Sequence, residues 1–294
     1  MTITADSIKS TIKSRLLEML DSRREFISHS SFLETLGIKI KNDRLYLSEC
    51  IESVAKKYIE DLCRKLTAQY SNGTPAEISV NSDLYRVITR RDRELEFSEA
   101  VGYGQSSNTD TEAEKEMAFI ERYLSAVNFE QIACEINKQT KKLGATGLEI
   151  FADKIIYQLH LANMDGYYSP FRKGRWVICQ AYPLNYNDCY KKLSELSLLS
   201  NALNEIEKES GVQFGSALEE YMNAGNNLRY GRETIASRTV FGKGGNLEIC
   251  IFKEKHQYRF SEKAFEALMA FLTINGKADQ VDVIMSKTDL LEAA

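Results

Sequence analysis

The residue types that most often perform enzymatic chemistry are few and scattered in this chain. Its three histidines, His29, His160 and His256, lie far apart in the sequence, and its six cysteines form no C-x-x-C pair. Neither a phosphate-binding P-loop nor the turn of a nucleophilic serine is present. His160 has no second ligand one helical turn away, which favours helix capping or a hydrogen-bonded side chain over metal binding. We therefore expect no catalytic residue, metal site or cofactor, and favour a binding protein over an enzyme.

Two glycine-rich segments could hold a phosphate group, but each lacks part of the necessary pattern. Residues 242–246 (GKGGN) lack the P-loop spacer and precede a strand-like run instead of a helix, so we predict a hairpin turn. Residues 101–104 (VGYG) lack the third glycine of a dinucleotide-binding turn and are predicted to be a loop. No pair among the 42 acidic residues stands out as a catalytic acid and base, so glycosidase or nuclease chemistry is unsupported.

The best candidate contact surface is residues 166–176 (GYYSPFRKGRW), which combine aromatic and basic side chains with the only tryptophan. Tyr, Trp and Arg dominate protein interfaces because they bury large rigid areas and keep a hydrogen-bonding end. The favoured interpretation of the segment is nevertheless that its rings fill a core beside a strand at 176–180; a protein interface comes second, and stacking of single-stranded bases is the least favoured. The partner-binding candidates in this segment are Tyr167, Tyr168, Phe171, Arg172, Lys173, Arg175 and Trp176.

A second basic cluster comprises Arg90, Arg91 and Arg93, within residues 89–94 (TRRDRE). Apolar residues alternate at 78–80, 84–88 and 95–97, which predicts short strands and places this cluster at a hairpin tip. Such charge runs are usually solvated, with Arg and Asp or Glu paired, so phosphate binding is the less favoured interpretation.

Elsewhere the pattern is mainly helical. Apolar stripes predict helices near residues 8–20, 51–66, 117–124, 129–136, 148–159 and 188–209, and we expect Ser48, Ser216 and Ser261 to cap helices and Gly144 and Gly147 to interrupt one stretch. Strand-like runs occupy 238–241, 247–252 and 257–260, and a short strand-turn-strand is predicted around Asn42 and Asp43.

The predicted fold class is α+β, predominantly helical, with inserted β-hairpins and a C-terminal hairpin-plus-helix unit. Changes of pattern divide the chain into a helical region (1–74), a β-hairpin insertion with a linker at 101–110 (75–110), a helical middle (111–210) and an α+β region (211–294).

Composition excludes several classes of function. The net charge of −4 and the pI near 5.7 indicate neither a polycation that binds nucleic acid nor an acidic mimic of DNA. The cysteines lie mostly in apolar patterns, which are typical of buried, reduced thiols. The first residues lack the apolar run of a signal peptide, and no stretch approaches about 20 apolar residues, so we expect a cytoplasmic protein without membrane contact.

The closing block, residues 245–253 (GNLEICIFK) through Tyr258, Arg259 and Phe260, resembles the bacteriophage-encoded Gabija anti-defence protein family, as does the order of the preceding regions. The resemblance extends over the whole chain and assigns no residue roles. It implies a non-enzymatic inhibitor in the host-cell cytoplasm that assembles with copies of itself around the Gabija complex of a nuclease and a helicase-like subunit. Such an inhibitor blocks the engagement or cleavage of phage DNA, and near-neutral charge favours steric occlusion over DNA mimicry.

Two alternatives belong to other classes. A phage or plasmid DNA-binding accessory protein would use Arg90, Arg91, Arg93, Arg172, Lys173 and Arg175, and its DNA affinity would fall steeply with salt. An enzyme without familiar motifs would show a deep pocket holding carboxylates with perturbed pKa values.

Overall fold

The computed structural model of the protein describes residues 2–36, 46–93, 112–162, 170–181, 189–230 and 235–292. Its helices are α1 Ala5–Thr35, α2 Leu47–Tyr70, α3 Glu112–Ala126, α4 Phe129–Gln158, α5 Cys189–Ser210, α6 Ala217–Arg229, α7 Glu262–Asn275 and α8 Ala278–Glu292. Its strands are β1 Phe171–Lys173, β2 Trp176–Ala181, β3 Val240–Phe241, β4 Leu247–Ile251 and β5 His256–Ser261. Helices predominate beside one small antiparallel sheet, so the predicted α+β class is confirmed.

Packing divides the chain into two compact units. The first comprises Met1–Asn72 and Glu77–Leu143, and the second comprises Gly73–Ala76 and Gly144–Ala294. The four predicted regions follow changes of pattern along the chain, whereas the units follow packing, so the four-region division stays a prediction.

The first unit is helical because apolar side chains recur every three or four residues and therefore share one face of each helix. The buried members of these stripes include Ile8, Ile12, Leu16, Ile51, Ala55, Ile59, Ile120, Leu124, Ile132 and Ile136. A polar contact adds to this core, since the buried Glu116 carboxylate of α3 accepts hydrogen bonds from Arg23 and Arg24 of α1 at 2.6 to 2.9 Å. Two guanidinium groups on one carboxylate fix the position of α1 against α3.

Residues 75–93 contain no strand, so the strands predicted at 78–80 and 84–88 are wrong. Ser82–Leu84 form a 3-10 turn, and residues 90–93 form a helical turn in place of a hairpin tip. Ile78 and Tyr85 are buried, and Tyr123 of α3 donates its hydroxyl hydrogen to the Tyr85 carbonyl oxygen at 2.9 Å. An extended segment that buries isolated side chains reproduces the alternation of a strand without any strand partner.

The second unit is built on a five-stranded antiparallel sheet of order β1-β2-β5-β4-β3. Strands β2 and β5 pair along their whole length, from Trp176 opposite Ser261 to Ala181 opposite His256. Alternate side chains of β2, β4 and β5 join a core with α4, α5, α6 and α7, and these side chains are Val177, Cys179, Leu247, Ile249, Ile251, Tyr258 and Phe260. The strands predicted at 176–180, 247–252 and 257–260 are therefore confirmed.

Helix α4 continues through Gly144 and Gly147, so the predicted interruption is wrong. A helical glycine costs about 1 kcal/mol relative to alanine, which the packing of a long helix readily outweighs. Gly147 is buried, and a Cβ atom at this position would lie 1.9 Å from Oγ1 of Thr74. Close packing, and not a helix break, explains this glycine.

The predicted helix caps have mixed outcomes. Ser261 caps α7 as predicted, because its Oγ accepts a hydrogen bond from the Ala264 N–H at 3.3 Å. Ser216 occupies the N-cap position of α6, but its hydroxyl donates to the Glu220 carboxylate instead of accepting from the backbone. Ser48 is not a cap, since it is buried within the first turn of α2 and Tyr46 holds the N-cap position.

Some predictions fall on residues outside the described ranges. These residues are Asn42 and Asp43 of the strand-turn-strand, Leu95 and Phe97, the 101–110 linker, and Tyr167 and Tyr168 of the contact surface.

Candidate functional site

The basic and aromatic residues 171–176 form a β-hairpin at one edge of the sheet. Strand β1 pairs with β2 in a register that places Lys173 opposite Trp176, leaving a two-residue turn of Gly174 and Arg175. Gly174 has a φ of 61°, a left-handed conformation that glycine adopts without strain and that the first position of tight hairpin turns requires. Gly174 therefore permits the tight turn that joins β1 to β2.

The tip of this hairpin is exposed, and its base is partly buried. Arg172, Lys173 and Arg175 are exposed, whereas Phe171 and Trp176 are half-buried. The Arg175 guanidinium carbon lies 4.7 Å from the centroid of the Trp176 ring, a cation–π contact that holds both side chains on one surface. We name Phe171, Arg172, Lys173, Arg175 and Trp176 the hairpin surface.

One cation of the hairpin surface is engaged inside the unit. Arg172 Nη2 lies 2.5 Å from Oε1 of Glu262, the first residue of α7. This ion pair ties β1 to the helix that follows β5. Charged side chains on a short edge strand such as β1 also discourage pairing with a further strand, which favours contact through the side chains of the hairpin surface.

The second basic cluster lies in the first unit, so the structure places the two predicted clusters in different compact units. Thr89 caps the helical turn of residues 90–93, because its Oγ1 accepts from the Asp92 N–H and its own N–H donates to the Asp92 carboxylate. The Thr89 hydroxyl also donates to the Asp92 carboxylate at 2.6 Å, and this bond, followed by that from the Thr89 N–H and by the charge of Arg122, lowers the pKa of the Asp92 carboxyl below its usual value. Asp92 thus stays ionised and anchors the turn.

Arg93 of this cluster forms an ion pair with Glu52 of α2 at 2.8 Å, and Arg122 of α3 lies 3.7 Å from Asp92. Pairing of arginine with acidic residues is therefore found, but these two ion pairs join the turn to the neighbouring helices α2 and α3, whereas pairing within the turn was expected. This pairing reduces the positive charge that the turn can offer to a phosphate.

The predicted hairpin turn at residues 242–246 is confirmed, since it joins the paired strands β3 and β4. Its backbone N–H groups already hold carboxylates of the protein: Gly242 donates to Glu220 and Gly244 donates to Glu248, each at 2.9 Å. The Ser216 hydroxyl and the Gly242 N–H lower the pKa of Glu220, which keeps it ionised. The turn is therefore occupied by internal anions and does not form a phosphate site.

His160 ends α4 in a Schellman motif, which confirms the capping interpretation. Its φ is 53°, the N–H of Leu161 donates to the Ile156 carbonyl, and the N–H of His160 donates to the Tyr157 carbonyl. Burial lowers the pKa of His160, so its ring is neutral near pH 7.

Sequence reasoning missed a buried polar pair in the second unit. The Tyr221 hydroxyl of α6 and Nδ1 of His256 on β5 form a hydrogen bond, and both residues are at most 3% exposed. Burial, with a smaller effect of the Lys192 charge, lowers the pKa of His256 to about 4. The position of His256 at the start of a strand was the only signal in the sequence, and nothing there indicated Tyr221 as its partner.

The cysteines whose side chains are described are Cys50, Cys63, Cys134, Cys179 and Cys250; all five are free, and Cys63, Cys179 and Cys250 are buried as predicted. Burial raises the pKa of the Cys63 thiol to about 11 and that of Cys179 to about 12, so both are protonated and unreactive. Cys134 departs from the prediction because it is exposed on α4.

Two shallow grooves among the described residues bear on the enzyme alternative. One, of about 660 Å³, lies between α1 and α2 and contains Glu18, and the other, of about 620 Å³, lies beside the end of α4 and contains Asp153. Asp153 is paired with Lys277 at 2.7 Å. Neither groove brings two carboxylates together, so neither has the acid and base that hydrolytic chemistry requires.

Within the described part of the chain, no three His, Cys, Asp or Glu side chains are grouped closely enough to bind a metal ion. No described helix offers a stretch long and apolar enough to cross a membrane. Comparison with known proteins finds no matching family model, no matching curated protein and no matching solved structure.

Proposed function

We propose that this protein is a protein-binding inhibitor that contacts its target through the hairpin surface. The observation that carries the proposal is the stacking of Arg175 on Trp176 at an exposed, two-residue turn. Arginine and tryptophan are the side chains most enriched at the energetic centres of interfaces, and a short turn holds them in place before binding.

The resemblance to the Gabija anti-defence family supplies the identity of the target. On this proposal, copies of the chain assemble around the nuclease and helicase-like subunits of the host Gabija complex and occlude its DNA. The exposed cations Lys173 and Arg175 favour an acidic patch on the target, since complementary charge speeds association and selects the partner.

The ion pairs and the positions of the basic residues favour protein binding over DNA binding. Arg93 and Arg172 form ion pairs with Glu52 and Glu262, and the two basic clusters belong to different units. A DNA-binding surface needs several cations directed at successive phosphates, and internal pairing removes some of them.

The test is a pull-down of the tagged protein from bacteria that carry a Gabija system, followed by the mass of the purified complex. We expect both defence subunits to co-purify in a stoichiometric assembly. Replacing Arg175 by Glu should weaken binding by at least about tenfold, because truncating or reversing an interface anchor costs at least about 1.4 kcal/mol.

Lys253→Glu provides the matched control, since Lys253 is an exposed cation of the same unit outside the hairpin surface. It should leave the affinity within about twofold, as a charge remote from an interface does. Wild-type protein that recovers no defence subunit would disprove the proposed target, and Arg175→Glu protein that binds normally would remove the hairpin from the interface. A steep salt dependence of binding to duplex DNA would instead support the accessory-protein alternative.

A further inference from the structure

We infer that Asn72 is a site of spontaneous deamidation, and that the fold directs this chemistry to Asn72 while protecting the other Asn-Gly dipeptide, Asn275-Gly276. Asparagine followed by glycine is the most reactive pair for this reaction, because glycine has no side chain to obstruct the ring that must form. The chain contains two such pairs, so their structural surroundings decide which one reacts.

The reaction needs only water. The backbone nitrogen of Gly73 attacks Cγ of Asn72, a C–N bond forms, and the bond from Cγ to the side-chain nitrogen breaks. Ammonia leaves with the proton that Gly73 nitrogen gives up, and a five-membered cyclic imide remains. Water then adds to one of the two imide carbonyls and opens the ring, giving aspartate or isoaspartate without any oxidation or reduction.

The turn after α2 leaves both reacting groups of the first pair accessible. Asn72 and Gly73 are exposed, with φ values of 51° and 81°. The last backbone N–H held by the helix is that of Ser71, which donates to the Thr67 carbonyl at 2.9 Å. Among the described residues, no hydrogen bond engages the Gly73 N–H or the Asn72 side chain, and a Cβ built on Gly73 meets nothing within 4 Å.

The second pair is held at the end of α7. The Gly276 N–H donates to the Leu272 carbonyl at 2.7 Å, and the Asn275 side-chain amide donates to the Phe271 carbonyl at 3.1 Å. A Cβ on Gly276 would lie 2.6 Å from the Leu272 oxygen and 2.7 Å from Cγ2 of Val281, so the backbone is closely surrounded. Attack at this pair requires the helix end to open first.

Deamidation would place a carboxylate directly after the C-terminus of α2, where the partial negative charge of the helix disfavours an anion. The isoaspartate product would also add one carbon atom to the main chain of the turn. The modification therefore changes both the charge and the length of the connection between α2 and the segment at residues 74–93.

The experiment compares the two pairs inside one protein. Folded wild-type protein is incubated in mildly alkaline buffer, sampled over several days and digested, and the peptides containing Asn72 and Asn275 are quantified by mass spectrometry. Isoaspartyl methyltransferase labelling identifies the isoaspartate product. We expect Asn72 to react at least about tenfold faster than Asn275, which corresponds to a local opening free energy of about 1.4 kcal/mol at the end of α7.

The same measurement in concentrated urea is the control, because it removes the structural difference and should bring the two rates together. Asn72→Gln should abolish the reaction at that site, since the longer side chain forms the cyclic imide far more slowly, and a thermal melt verifies that the variant is folded. Equal rates at Asn72 and Asn275 in the folded protein, or faster reaction at Asn275, would overturn the inference.

Discussion

Tyr221 and His256 form a hydrogen bond between their hydroxyl oxygen and Nδ1 inside the core of the second unit. The two rings meet edge to face, with their centroids 5.3 Å apart. A buried imidazole is stable in this position only while it is neutral, because charging it would cost the free energy of desolvating an ion beside the Lys192 ammonium. The stability of the second unit is thereby linked to pH.

The first prediction concerns this linkage. Unfolded His256 binds a proton below its ordinary pKa of 6.5, whereas folded His256 stays neutral down to about 4. The free energy of unfolding should therefore fall as the pH is lowered from 6.5 to 4, by up to about 3 kcal/mol from this residue, with no further loss below that range. Urea unfolding at a series of pH values measures it, with fluorescence of the only tryptophan, Trp176 on β2, as the probe.

The variant His256→Gln isolates the effect, since glutamine does not titrate in this range. It should be less stable than the wild type at neutral pH, and the difference between the two proteins should shrink as the pH falls towards 4. A difference that stays constant with pH would show that His256 does not remain neutral in the folded state.

The second prediction concerns the carboxylate of Glu116, which binds Arg23 and Arg24 in the first unit. Its side chain is only 7% exposed, and its replacement by glutamine removes the negative charge that accepts hydrogen bonds from both guanidinium groups. We expect Glu116→Gln to lower the free energy of unfolding by about 2 kcal/mol or more, because removing one charge of a largely buried ion pair is strongly destabilising. Chemical unfolding followed by far-ultraviolet circular dichroism provides the measurement.

Glu121→Gln is the matched control for this prediction. Glu121 also joins α3 to α1, through Lys13 at 2.6 Å, but both side chains of the pair are about half exposed. Water screens this pair, so its loss should cost less than about 1 kcal/mol. Equal effects of the two variants would contradict the assignment of burial as the cause.

The third prediction uses the two glycines of α4. Gly144→Ala should stabilise the protein by about 0.5 to 1 kcal/mol, because its Cβ meets no atom within 4 Å and alanine is the better helix former. Gly147→Ala should destabilise it by about 1 to 3 kcal/mol, because its Cβ would overlap Thr74 and force the packing apart. Thermal melting of both variants tests the pair, and a stabilising Gly147→Ala would remove the packing explanation for this glycine.

The elements that could be predicted from the sequence are those in which the local pattern of residues agrees with the packing of the folded protein. Ile8, Ile12 and Leu16 were correctly predicted to lie on a helix, because the four-residue spacing that indicates a helix also places all three side chains on its buried face. The hairpin at residues 242–246 was predicted for a similar reason, since its glycines supply the left-handed conformations that the turn requires at Gly242 and Gly244.

Two of the errors arose because contacts with residues distant in the sequence override a local signal. Gly147 looked like a helix break because the partner that explains it, Thr74, lies far away in the sequence. The segments that contain Ile78 and Tyr85 were predicted to be strands because an extended segment buries alternate side chains whether or not it pairs with another strand. A single sequence carries no information on such partners.

The candidate site was predicted in part. The basic and aromatic composition of residues 171–176 marked the hairpin surface, and the strand beginning at Trp176 was expected. The ion pair between Arg172 and Glu262 could not have been predicted from the sequence. It forms because the pairing of β5 with β2 places the start of α7 near β1.

The strand order of the sheet also has a consequence for synthesis on the ribosome. Strand β2 is complete at Ala181, but its long partner begins only at His256, about 75 residues later. At about 5 to 20 residues per second, roughly 4 to 15 s of translation separate the two strands. During that interval β2 lacks the strand that pairs with one of its two edges, so a nascent chain stalled before His256 exposes unpaired backbone N–H and C=O groups to chaperones and to other nascent chains.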